Sequence, residues 1–291
     1  MATFILDEAE GFGDSVEVTL TENITKEQLL SFAAFKDWKA ALRENLDLQA
    51  TDKDHAFHDS PYCLHSITIQ SVDWFQRGNI GFVKLRAKIQ NSEGASLPGV
   101  ALLRGGSVAV LMILRPHGTK YERYVVMTEQ ARIPIGSLQF LEIPAGMLDG
   151  KTHFSGKAAD EIEEETKMRI PKEELIDMTE LALRGSQVRD KRLRNAMYPS
   201  PGGSDEFISI FLWEKELDRQ IIEDLKGRLA GEKSQGEMIT VRVLKFEDLW
   251  KEGARDAKTL AAWALYESLS RAGILQAELQ RRKGKGNDKI Q

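Results

Sequence analysis

Five of the six residues from Asp160 to Glu165 are acidic, with only Ile162 interrupting them. On a helix Glu161, Glu164 and Glu165 share one face, because residues three and four apart lie side by side. Like charges at that spacing repel. A hard divalent cation with oxygen ligands relieves the repulsion, and phosphate oxygens are natural partners for such a cation. Ala158 and Ile162 point elsewhere and suit packing on a sheet. Acidic runs are also common on solvated helix faces, so the run alone leaves both readings open. What bears on the choice lies upstream. A strand ends in Glu142–Ile143–Pro144–Ala145–Gly146, and Glu161 follows Gly146 by 15 positions.

This strand–loop–helix spacing resembles the Nudix box, the signature of the Nudix hydrolases. That box reads Gly, five residues, Glu, seven residues, Arg-Glu-aliphatic-any-Glu-Glu-any-Gly. In register, the chain has Gly146, Glu161, Ile162, Glu164 and Glu165. It departs at Thr152 for the first Glu, Asp160 for the Arg and Lys167 for the closing Gly. The likeness extends to SVAVLMIL, TEQARIPIG, LEIPAGMLDG, YPSPGGSDE, DAKTLAAWALYESL and VDWFQRGNIGFVK, and covers about Ser66 to Leu275. These segments look like the ADP-sugar and ADP-ribose diphosphatase branch, most of all its plant type.

The resemblance implies Mg²⁺ or Mn²⁺ held by Glu161 and Glu165, with Glu164 ligating or holding a metal-bound water, and by the backbone carbonyl of Ala145. Pro144 would stiffen the strand exit, and Gly146 would let the backbone turn close to a metal. Ser200–Pro201–Gly202–Gly203–Ser204–Asp205–Glu206 matches the loop that carries a catalytic glutamate in this branch. That role passes to Glu206, with Asp205 as the alternative, and the two glycines suit a loop that closes over substrate. Arg132 is implied as a phosphate or sugar contact, since a guanidinium binds phosphate through two parallel bonds. Arg104 is a second candidate. Glu142 is expected at sugar hydroxyls or in support of the metal site. Trp74 or Phe75 is a candidate to stack on the base, although a large aromatic beside a turn is more often core.

The activity implied is hydrolysis of a nucleoside diphosphate sugar, ADP-ribose or ADP-glucose, to AMP and a sugar phosphate. The alternative is a weakened or inactive Nudix fold that binds a nucleotide or a protein partner. Asp160 reverses the charge of a box arginine and crowds the acidic site, which raises carboxylate pKa values unless cations compensate. Lys167 costs roughly 1 kcal/mol if its backbone is left-handed, and little if the helix continues toward Pro171.

The elements that must position these residues follow from periodicity. Lys26 to Asn45 has apolar residues at helical spacing after a candidate N-cap, Thr25. Asp47 to Tyr62 reads as a loop. SITIQSVDWF and IGFVKLRAKIQ alternate with period two, and SVAVLMIL and YERYVVMTEQ read as a further strand pair joined by the turn region Arg115–Pro116–His117–Gly118. LQFLEIPAG is a short strand, and a helix is expected over Lys157 to Met168, limited by Pro171. LIDMTELAL, EFISIFLWEK and ITVRVLKF read as strands. A long helix is expected from about Asp256 to Gln280, with Leu260, Trp263, Ala264 and Leu265 on its apolar face. The fold expected is α+β: a Nudix α/β/α sandwich with a mixed sheet over 100–280, preceded by a β-rich domain with one helix over 1–99 and followed by a basic flexible tail over 281–291.

Composition sets outer bounds. The chain has 291 residues, 42% of them apolar and 29% charged, with a formal net charge of -5. That excludes a basic nucleic-acid coat and a highly charged disordered chain. The longest apolar run, Val108 to Leu114, is about a third of a membrane span. One cysteine, Cys63, rules out an internal disulfide framework or a Cys-rich zinc site. The five histidines show no ligand spacing with it. Lys191, Arg192 and Arg194 form a basic stretch that would steer an anion or simply be solvated. The acidic start lacks the pattern of a secretory signal, so a cytoplasmic protein is expected. The branch implies a homodimer with the N-terminal domain at its interface, and no nucleic-acid or membrane partner.

Overall fold

The computed structural model describes residues 1–6, 15–75, 78–119, 121–148, 154–186, 193–230 and 238–287, with the side chains of Glu161 and of residues 283–287 outside the description. Thr152, Lys191 and Arg192 therefore lie outside the described residues. The chain forms two compact units. The first holds Met1–Gly106 together with Ser200–Phe207; the second begins at Ser107 and resumes at Ile208.

In the first unit the strands are β1 (Thr3–Leu6), β2 (Val16–Thr19), β3 (Tyr62–Trp74), β4 (Ile80–Asn91), β5 (Ser96–Leu97) and β6 (Val100–Leu103), and the helices are α1 (Lys26–Ser31) and α2 (Ala33–Thr51). The sheet order is β1-β2-β3-β4-β5, with β6 also on β4. Pairing of β6 with β4 carries this unit past Gly99 to Gly106. Gly99 is required there: a Cβ would lie 2.0 Å from the Ala87 carbonyl oxygen. The single helix expected from Lys26 is two. A capping box opens α1, the Thr25 hydroxyl accepting from the Gln28 N–H and the Gln28 side chain accepting from the Thr25 N–H. Phe32 is extended, and the chain restarts as α2, which continues to Thr51 into the stretch read as loop. Phe35, Leu29, Leu85 and Ile67 are fully buried at the centre of this unit.

In the second unit the strands are β7 (Ser107–Pro116), β8 (Tyr124–Arg132), β9 (Ser137–Glu142), β10 (Ala145–Met147), β11 (Ile176–Asp177), β12 (Ile208–Leu217), β13 (Leu229–Ala230) and β14 (Ile239–Lys245). The helices are α3 (Phe154–Thr166), α4 (Met178–Leu183), α5 (Arg219–Asp224), α6 (Leu249–Glu252), α7 (Ala257–Arg271) and α8 (Ile274–Asn287). The sheet order is β11-β12-β7-β8-β14-β13, with β10 on β7 and β9 on β8. The sheet is mixed: β12 runs parallel to β7, while β8 and β10 pair with β7 antiparallel. Central β7 is buried on both faces, so it reads as a continuous apolar run. Ala109, Leu111 and Ile113 share a core with α4 and α7 through Met178, Leu181, Ala262, Tyr266 and Leu269. The alternate residues Val108, Val110 and Met112 are equally buried. Helix α3 packs on β7 and turns in Ala158 and Ile162, both fully buried, as their spacing predicts. Helices on both faces of a mixed sheet make the expected α/β/α sandwich.

Three expectations for the second unit are corrected. LQFLEIPAG is not one strand but β9 and β10, which pair with β8 and β7 on either side of Ile143–Pro144. LIDMTELAL is a strand only at Ile176–Asp177. The Asp177 carboxylate accepts from the Glu180 N–H and caps α4, so capping chemistry overrides the apolar run. The C-terminal helix is also two helices. Gly273, at φ 72°, ends the first, and the second runs to Asn287, into the segment expected to be a flexible tail. Arg282 there donates to the carbonyls of Glu173 and Leu175.

Candidate functional site

The strand exit and the acidic helix meet within the second unit. Glu165 lies at the edge of the buried face of α3, 5% exposed. One of its carboxylate oxygens accepts from the Ala145 backbone N–H at 3.1 Å, and the other accepts from the Gln130 side-chain amide at 3.2 Å. The helix thus holds the backbone residue implied as its co-ligand. Glu164 is half-buried on the same helix, and Asp160 is exposed. The Glu161 backbone lies in α3.

Upstream, Glu142 is almost wholly buried and stands between two cations. The Arg132 guanidinium donates to one carboxylate oxygen at 2.6 Å, and the Lys258 ammonium bonds the other. Lys258 also pairs with Asp256 at 3.0 Å. Asp256 caps α7, accepting from the N–H and the hydroxyl of Thr259. The Thr259 oxygen accepts from the Ile143 N–H at 3.1 Å. Gln130, Asp256, Lys258 and Thr259 were not singled out from sequence. Asp256 at the start of the expected helix carried a signal as a favoured N-cap residue, and Lys258 and Thr259 carried none. Pairing with Glu142 also leaves Arg132 only 40% exposed.

A second cluster forms within the first unit. The Asp205 carboxylate accepts from the backbone N–H groups of Arg104, at 2.7 Å, and Gly105, at 3.1 Å. Burial pushes the Asp205 carboxyl above its usual range, and those two N–H groups oppose the push. Its neighbour Glu206 pairs with the Arg104 guanidinium at 3.2 Å. Arg104 also lies over the Phe82 ring, 5.8 Å from its centroid. Phe75 packs edge-on against Phe82 at 5.4 Å and remains 41% exposed. Trp74 is half-buried against the core, as the reading of a large aromatic beside a turn anticipates. Asp205 is therefore an anchor for the loop backbone, and Glu206 is the carboxylate held by a side chain. The loop is bonded to β6 through Leu102, whose N–H donates to the Gly203 carbonyl at 2.8 Å.

Other candidates are dispersed. Arg194 pairs with Asp37 at 3.1 Å. The His58 ring bonds the Gln49 carbonyl at 2.8 Å. A cavity of about 540 Å³ in the second unit, lined by Ile135, Phe140, Leu141, Glu252 and Arg255 among others, contains none of the predicted site residues.

Lys167, where the box has glycine, is the only non-glycine residue at positive φ among the described residues, at 58°. It follows the last residue of α3 and donates its N–H to the Glu163 carbonyl. The helix ends there in the left-handed turn that favours glycine. The backbone thus has the glycine conformation at the position where the box register places one.

As donors, Glu164, Glu165 and the Ala145 backbone form an all-oxygen set of the kind hard divalent cations take. Among the described residues no three His, Cys, Asp or Glu side chains form a ready metal cluster. The donor types fit Mg²⁺ or Mn²⁺.

Comparison with known proteins agrees with this fold. The chain is 37% identical over 246 residues to "Nudix hydrolase 14, chloroplastic" of Arabidopsis thaliana, covering 84% of this chain and 73% of that protein. No protein-family model matches the chain. The chain belongs to the Nudix hydrolase family. No helix among the described residues is long and apolar enough to cross a membrane.

Proposed function

We propose that the chain is a metal-dependent diphosphatase that hydrolyses a nucleoside diphosphate sugar, ADP-ribose or ADP-glucose, to AMP and a sugar phosphate. The observation that carries the reading is the bond between Glu165 and the Ala145 N–H, which joins the two halves of the box motif. Glu161, Glu164, Glu165 and the Ala145 carbonyl would hold Mg²⁺ or Mn²⁺. Bound there, the cations would neutralise phosphate charge and lower the pKa of a water. Glu206 would take the proton from a water that attacks one phosphorus while the bridging P–O bond breaks and the other phosphate leaves, giving AMP and the sugar phosphate. Arg104 sets where the Glu206 carboxylate stands before substrate arrives. Arg132 binds a phosphate oxygen with the in-plane guanidinium N–H groups that do not point at Glu142. Phe75, with its exposed ring, is preferred over Trp74 for stacking on the base. Glu142 supports the strand exit rather than the sugar, since it is occupied by two cations.

The test is AMP release from ADP-ribose, ADP-glucose and UDP-glucose with and without Mg²⁺, with Glu165→Gln as control. Metal-dependent AMP from an ADP-sugar, lost in the control, is expected. Binding of nucleotide without turnover would favour the second reading, a weakened site. The strained Lys167 and the acidic Asp160 at an arginine position support that second reading. A homodimer through the first unit is also proposed, and a monomer by light scattering at micromolar concentration would refute it.

A further inference from the structure

The backbone from Glu142 to Ala145 is held residue by residue. The Glu142 carbonyl accepts from the Thr128 hydroxyl at 3.4 Å. The Ile143 N–H donates to Thr259, and the Pro144 carbonyl accepts from the Val110 N–H at 2.9 Å. The Ala145 N–H donates to Glu165. Two of these holds come from the sheet and one from α3. The Thr259 hold, together with the Lys258 bond to the Glu142 side chain, comes from the first turn of α7.

Lys258 is in an unfavourable place for a helix. It is the second residue after the Asp256 cap, where the helix dipole repels a cation. It is also largely buried, 12% exposed. Stability alone does not call for such a group, because apolar replacements of buried ion pairs are often neutral or better. An ammonium placed between Glu142 and Asp256 does something an apolar side chain cannot. It fixes the lateral position of the strand exit against α7 by directional bonds at both carboxylates.

We infer that Lys258 is a positioning residue for the metal site, acting through Glu142 and the Asp256–Thr259 pair to set the backbone at Ala145. The inference rests on the proposed metal-dependent reading. Without Lys258 the strand exit keeps its sheet bonds and the Thr259 bond but loses the side-chain tie from Glu142 to α7. The Ala145 carbonyl and the Glu165 carboxylate then no longer share one fixed geometry, and metal affinity falls. Loss of an outer partner of a metal ligand typically costs 10–100-fold in affinity.

The test is Mn²⁺ binding to the full chain, read by electron paramagnetic resonance without substrate, with unfolding followed by circular dichroism. Lys258→Met is expected to weaken Mn²⁺ binding by about tenfold or more, Thr259→Val to weaken it less, and Lys258→Arg to recover most of the loss. If Lys258→Met does not fold, the charge-neutral double variant Lys258→Met/Glu142→Gln takes its place and is judged by the same signal. Wild-type Mn²⁺ affinity in a folded Lys258→Met or double variant overturns the inference and leaves the hydrolase reading standing. A wild-type chain with no Mn²⁺ signal that Glu165→Gln removes overturns both.

Discussion

The segment from Glu142 to Ala145 and the loop from Ser200 to Glu206 each carry a candidate functional group, and they hold it in different ways. In the first, side chains and backbone are both tied, and the central carboxylate, Glu142, is buried between two cations. In the second, the backbone is tied to β6 and to Asp205, while Glu206 depends on a single ion pair that is 18% exposed at Glu206 and 30% at Arg104. Groups that must keep a metal in place need fixed geometry. A base that must meet a water and let go of a proton needs a side chain free to turn on a fixed backbone. The contrast between the two segments matches that division of labour.

The sharpest way to break the comparison is at Glu206 and Asp205. Glu206→Gln is expected to lower kcat by roughly 10²–10⁴, the usual worth of a general base, with little change in stability. Asp205→Asn is expected to cost about 1 kcal/mol of stability by weakening a charge-assisted pair of backbone bonds, with kcat far less affected. Steady-state kinetics beside urea unfolding separates the two. A large loss of kcat in Asp205→Asn with only a stability loss in Glu206→Gln would show that the anchor and the base had been assigned the wrong way round.

Arg132 probes the other segment. Arg132→Lys keeps the charge and gives up the planar fork, one edge of which meets Glu142 while another is proposed to meet phosphate. An expected tenfold rise in KM, about the worth of one charge-assisted hydrogen bond, with kcat nearly unchanged, places Arg132 on the substrate. A loss confined to thermal stability would leave it as a partner of Glu142 only.

Much of this was legible from residue types and spacing, and what escaped has a physical reason. Periodicity placed Glu164 and Glu165 on a helix because period is local, while Ala145, read as the end of one strand, lies on β10, which pairs with β7 rather than with β8, the partner of β9. The Glu142–Lys258 pair escaped because its partners are 116 positions apart and only folding brings them together. Phe82 escaped for the opposite reason, since a phenylalanine in a period-two strand reads as ordinary core. LIDMTELAL misled because an apolar run says nothing about whether an aspartate will cap it. Gly202 and Gly203 suited a loop that closes over substrate, and what the spacing could not show is the bond from the Leu102 N–H that ties the Gly203 carbonyl to β6.

Lys167 sharpens the comparison by locating strain at the end of α3, the helix whose Glu165 holds the Ala145 N–H. Its positive φ costs a side-chain-bearing residue about 1 kcal/mol, which glycine does not incur. Lys167→Gly is expected to raise stability by about that amount in urea unfolding. If the strain reaches Glu165, two residues earlier, Mn²⁺ affinity rises as well. If the strain is confined to the helix end, affinity stays put, and the weakened-site reading loses its main structural support.

The smallest effect guards the others against a false pH reading. Glu278 on α8 is held down to about 2, chiefly by its bonds to Arg281, with burial opposing and Arg282 adding to the lowering. Its folded pKa lies below the unfolded value of 4.5, so its contribution to stability is complete above that value. The contribution is lost as pH falls from 4.5 toward about 2. Acid therefore loosens α8, whose Arg282 reaches back to the carbonyls of Glu173 and Leu175. Helical circular dichroism is expected to fall in that window in the native chain, and Glu278→Gln should flatten the fall while lowering stability at neutral pH. An acid limb of activity that survives Glu278→Gln unchanged then belongs to the site carboxylates. One that moves with it belongs to the fold.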